Sequence, residues 1–163
     1  ELITKATLTF APTTGGSPIF VTATDPDGDG VQDIAVDGPI NLALNKTYTL
    51  TIELINGLAS PTDPEYDITA EVEEEGDEHL FFFAWTNNVF AYNLSIACNH
   101  CVYNDEDAGG LPLGLSTNWT SAAAASTGTF RVILKHQPEL KSVTSSSSTG
   151  ETDLDLTFTV NIE

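Results

Sequence analysis

Polar and apolar residues alternate along most of this chain. Near its end, Leu154, Leu156, Phe158, Val160 and Ile162 are separated by Asp155, Thr157, Thr159 and Asn161. Successive side chains of an extended chain point to opposite faces, so this stretch predicts a strand with one buried and one wet face. Leu2, Ala6, Leu8 and Phe10 predict another, with Lys5, Thr7 and Thr9 opposite. Further strands follow from Ile19, Val21 and Ala23, from Tyr48, Leu50, Ile52 and Leu54, and from Tyr66, Ile68, Ala70 and Val72. His79, Phe81, Phe83 and Trp85, then residues 89–97, then Phe130, Val132 and Leu134, complete the set. No segment carries a helical stripe.

Clusters of Pro, Gly, Asn, Asp and Ser separate these runs, at residues 12–18, 25–33, 56–64, 75–77, 104–114 and 141–150. Each supplies the positive φ or local side-chain bonding that turns require. Many short strands punctuated this way predict an all-β fold, an antiparallel Ig-like or Greek-key β-sandwich of about eight strands. With 163 residues the chain makes one domain, residues 1–163. Residues 122–125 could add one helical turn or a loop, and Ser145–Ser148 reads as a flexible hairpin connection. The strand over residues 1–10 either pairs at home or is donated to a neighbouring subunit, since an exposed edge accepts any extended chain.

Charge narrows the partners. Asp and Glu total 24 against 5 Lys and Arg, a net charge of −19. Such a field repels nucleic acid and anionic membranes and attracts cations. No apolar run approaches a membrane span, so no transmembrane segment is expected. Met is absent, even at position 1, which reads as a processed chain from which an export signal has gone.

The sharpest motif runs from Asp25 to Asp33. Asp25, Asp27, Asp29 and Asp33 alternate around Gly28 and Gly30, and the Val31 carbonyl falls at the seventh place. Calcium needs six to eight oxygens, and closely spaced carboxylates converge where Gly allows a tight bend. The twelfth position is Val36, so the bidentate Glu of an EF-hand is missing. A calcium loop of the extracellular β-domain kind remains, with Asp37 as an extra ligand. The competing reading is an acidic turn closed by Asx bonds.

The acidic run through Glu71, Glu73, Glu74, Glu75, Asp77 and Glu78 reads as a charged hairpin, and residues 104–107 as a turn or weak cation site. No nucleophile motif, phosphate loop or patterned Ser-His-Asp set occurs, so the chain is expected not to be an enzyme. Cys98 and Cys101 predict a local disulfide rather than a metal site, because zinc would need two more ligands, of which His79 or His136 could supply one. Sequons at Asn45, Asn93 and Asn118 allow glycosylation in a suitable host. Trp119 and Trp85 could form a sugar platform, whereas core packing suits the Phe run better.

The opening residues 1–4, the block Asp67–Phe83 with its acidic stretch and three Phe, Leu134-Lys135-His136-Gln137-Pro138 and the close from Gly150 resemble a family of small exported, lipoprotein-like proteins of Bacteroidota. The resemblance implies an exported surface protein. Cys98 and Cys101 depart from it. The pattern also resembles pilin-like sandwiches that share a strand. The expected function is therefore a non-enzymatic, secreted or cell-surface structural protein. It would assemble with itself into an extracellular fibre by β-strand addition. The alternative is a calcium-stabilised carbohydrate- or ligand-binding module, with glycans as partners.

Overall fold

A computed structural model describes residues 1–28, 34–91 and 102–163. Ten strands are assigned among these residues: β1 (Lys5–Pro12), β2 (Ile19–Thr24), β3 (Ala35–Val36), β4 (Ile40–Leu42), β5 (Thr47–Ile55), β6 (His79–Trp85), β7 (Val102–Tyr103), β8 (Ser116–Thr120), β9 (Ser126–His136) and β10 (Glu151–Ile162). One sheet has the order β3-β2-β1-β5-β8-β7 and the other β4-β10-β9-β6. They stack as the two layers expected of an all-β sandwich. Six of the eight expected strands are among the ten, the one expected over residues 89–97 lies mostly outside the described residues, and β3, β4, β7 and β8 are additional. Every pair is antiparallel except β4 with β10, which is parallel.

The alternation read from the sequence sorts the two faces. Ala6, Leu8 and Phe10 of β1 and Tyr48, Leu50, Ile52 and Leu54 of β5 point inward from one sheet. Phe130, Val132 and Leu134 of β9 and Leu154, Leu156 and Phe158 of β10 point inward from the other. The outer faces of β1 and β5 carry Thr7, Thr9, Thr49 and Thr51, which suit a pleated, wet surface. At one end, aromatic rings lock the layers together. Phe130 has its ring centroid 5.0 Å from Trp119, 6.2 Å from Phe10 and 5.3 Å from Phe90.

β1 lies inside its sheet, between β2 and β5, pairing along its whole length with β5 and over Lys5–Phe10 with β2.

The strand expected over residues 66–72 is not there. A 3-10 turn at Pro64–Tyr66 leads into α1 (Ile68–Glu74). Its alternation was ambiguous: Ile68 and Val72 are four apart, so one helical face buries both. Asp67 caps the helix, its side chain accepting the Ala70 N–H at 3.1 Å. The Thr69 hydroxyl accepts the Leu54 N–H at 2.7 Å and donates to the Leu54 carbonyl at 3.1 Å. That hydroxyl meets the β5 backbone where a strand would have paired. The acidic run therefore lies on a helix and the turn after it, not on a hairpin. Residues 122–125 form no helix.

Candidate functional site

Edges decide what a sandwich can bind, because their backbone groups lack partners. At β6, the outer side is met at Phe81 by the segment before β8. The Phe81 N–H donates to the Leu113 carbonyl at 2.8 Å, and the Tyr103 hydroxyl donates to the Phe81 carbonyl at 2.8 Å. Gly114, at φ +101°, permits this approach, since a Cβ there would lie 2.7 Å from that of Phe81.

β10 is different. It runs for 12 residues, but β4 covers only Val160–Ile162. The Glu163 N–H donates to the Leu42 carbonyl, and the Leu44 N–H to the Glu163 carbonyl. Odd-numbered residues of β10 therefore aim their backbone toward β4, so Asp155 and Thr157 aim theirs past its end. Among the described residues no backbone group meets them there. Beside this stretch lie two shallow depressions, of about 500 and 400 Å³, which share Val36 and Thr157 in their linings. The chain's only arginine, Arg131, is bonded to Asp155, with Nε 2.7 Å from Oδ1 and Nη2 2.5 Å from Oδ2. In a chain with 24 acidic residues, this pair supplies the only charged side chains among the residues lining the two depressions, and its charges cancel. A shorter uncovered stretch lies at Phe20 on β2, whose side chain is 64% exposed.

Part of the acidic loop is described. Asp25 is buried, and its Oδ1 accepts the N–H groups of Asp27 at 3.3 Å and Gly28 at 3.1 Å. That is the Asx turn of the competing reading. Yet Asp25 Oδ2 is buried with no hydrogen-bond partner among the described residues. A buried carboxylate oxygen without a partner is costly, and a cation would satisfy it. Asp29, Val31 and Asp33 lie outside the described residues. Asp37 is occupied elsewhere, accepting the Thr22 hydroxyl at 2.7 Å.

The remaining expectations divide. Asn45 is exposed in a turn, with φ +49°. Asn93, Cys98 and Cys101 lie outside the described residues. Asn118 is on β8 and not in a loop, its amide tied to Asn104 at 2.8 Å and Thr49 at 2.9 Å. Trp119 is no sugar platform. It is fully buried, and its Nε1–H donates to the Thr117 hydroxyl at 2.7 Å. The 104–107 cluster is structural: Asp105 accepts the Gly114 and Ser116 N–H groups, and Asp107 pairs with Lys141 at 2.9 Å.

One cluster escaped the sequence reading. At the end of β6, His79 is fully buried. Its Nδ1 lies 3.0 Å from the Glu75 carbonyl and its Nε2 2.9 Å from Glu1 Oε1. The His136 ring stacks on it at 4.7 Å and 7°, with Nε2 3.2 Å from Glu78. Asp153 sits where β10 slips register between Thr152 and Leu154, and this bulge turns its carboxyl toward His79, 3.8 Å away. Burial pushes the Asp153 carboxyl up, and the hydrogen bond and charge of Glu1 take it to about 7. Burial also opposes ionisation of Glu1, but hydrogen bonds from His79 and Asp153 overcome it and hold Glu1 at about 2. His79 lies above its ordinary value: burial works against its charge, and the hydrogen bond and charge of Glu1 outweigh that. No local signal marks this cluster, because its members come from four separate places in the chain.

Set against known protein families and curated proteins, the chain matches none.

Proposed function

We propose that this chain is a non-enzymatic structural protein of the cell exterior that assembles with copies of itself by strand addition along β10. The observation carrying this reading is the β10 edge at Asp155 and Thr157, uncovered among the described residues, set beside a groove and with Asp155 paired to Arg131. Strand addition draws its affinity from main-chain hydrogen bonds, which such an edge supplies. Charge points to a second copy as the occupant. Two molecules each carrying −19 repel one another across most of their surfaces and can approach closely only where charge is cancelled.

Thr157→Pro tests this. Proline removes the N–H that would bond the incoming strand, while β9 continues to pair with the even-numbered neighbours. The variant is expected to keep a melting temperature within a few degrees of wild type and to lose assembly by light scattering and negative-stain microscopy. Assembly that persists in Thr157→Pro, or that depends on Phe20 instead, contradicts the β10 reading.

The partnerless Asp25 oxygen favours a second element, a calcium ion in the 25–33 loop that stabilises the assembled protein. A ligand bound only by the native state stabilises by about 2.7 kcal/mol at a hundred times its Kd. At about 2–4 °C per kcal/mol for a chain of this size, restoring calcium after chelation should raise Tm by about 5–10 °C. Asp25→Asn keeps the turn's acceptor and removes the charge, so it should abolish the shift. Equal melting with and without calcium in wild type excludes the ion.

A further inference from the structure

We infer that Glu1, His79, His136 and Glu75 form a binding site for a divalent cation of the zinc class, separate from the acidic loop. One ligand atom from each of the four lies within 4.8 Å of the others. Zinc holds such atoms at about 2.0–2.2 Å, so a tetrahedral site would draw them together by roughly an ångström.

The donors are arranged for such an ion. His79 Nδ1 is bonded to the Glu75 carbonyl, which leaves Nε2 to face the cluster. A backbone carbonyl on the far ring nitrogen is the usual support of a metal-binding histidine. Glu1 and Asp153, hydrogen-bonded to each other, lie beside His79 on side chains only 4% and 10% exposed, and among the described residues Glu1 Oε2 and Asp153 Oδ2 take no bond from an amide, amine or alcohol donor. Two buried carboxyl groups beside an imidazole are a donor set that a divalent cation can join. The β10 bulge delivers the second of them.

His136 is the moving part. Its ring is nearly parallel to that of His79, and two parallel rings cannot both direct a lone pair at one ion. Its side chain is 28% exposed, so the ring can swing out of the stack, release Glu78 and close over the metal from the solvent side. Glu75, exposed, lies at the same mouth. Nitrogen donors of this kind select zinc or its neighbours over calcium, which takes oxygen.

The probes are zinc for melting and cobalt(II) for visible absorption, with calcium present throughout to fill the loop. Micromolar zinc is expected to raise Tm by at least about 5 °C, and cobalt to give the absorption band of a four-coordinate site. His79→Gln should lose both. His136→Ala, at a partly exposed position that leaves the core intact, should weaken binding at least tenfold while its circular dichroism stays that of wild type. No cobalt band and no zinc shift in wild type overturn the inference. So does a shift of equal size in both variants, which would place the ion on the acidic surface at large.

Discussion

Phe130→Ala is expected to lower stability by about 3–5 kcal/mol, the range for emptying a buried aromatic site. Phe130 is wholly buried on β9 and touches rings of the opposite sheet, Phe10 and Trp119. The loss combines the burial of the ring with a cavity that neither layer can fill, because both sheets are held by their ladders. For this chain length the drop in Tm should be about 6–20 °C by calorimetry. A drop under 3 °C would mean that the two sheets are not joined through this aromatic cluster. Phe20→Ala serves as control: that ring faces solvent, and its removal should leave Tm nearly unchanged.

Lys141→Met should cost about 3 kcal/mol. Lys141 and Asp107 form an ion pair in which each side chain is 1% exposed, and the ammonium also donates to the Gly76 carbonyl at 2.6 Å. Replacing one partner leaves the other charge buried and unmatched, which costs more than the pair itself gains. The pair ties the connection between β9 and β10 to the loop that covers the edge of β6. Burial alone would raise the Asp107 carboxyl, but the hydrogen bond from Lys141 and those from Leu111 and Gly109 hold it below its ordinary 3.8. A depressed carboxyl stabilises the fold above its unfolded value and loses that contribution as pH falls through the folded one. The gap between wild type and Lys141→Met should therefore be full at pH 6 and narrow below pH 4. Urea melts at both values measure it, and a gap independent of pH would remove Asp107 from the account.

Alternation made the sandwich legible, because each of the long strands buries one face only. Leu154 to Ile162 read correctly down to the single residue. The same rule misread residues 66–72, where apolar residues two apart were also four apart, and Pro64 and the capping Asp67 decided for helix. Trp119 looked available to sugars beside a sequon. Its neighbour Asn118 points outward, and the pleat sends the indole into the core. Which edge stays open was beyond the sequence, since it depends on how far β4 reaches along β10. The cluster at His79 was beyond it for a similar reason. Glu1, His79, His136 and Asp153 meet only once both sheets exist, and Asp153 faces inward through a bulge that no pattern announces.

Among the described residues, the twelve-residue strand β10 is thus both a wall of the core and a rim left open at Asp155 and Thr157. Amide hydrogen exchange at Asp155 and Thr157 tests that dual role most directly, by comparing dilute monomer with assembled material. Both amides should exchange rapidly in the monomer and become protected on assembly, while Leu154, Leu156 and Phe158 stay protected throughout. Protection of Asp155 and Thr157 already in the monomer, or none gained on assembly, would contradict strand addition at this edge.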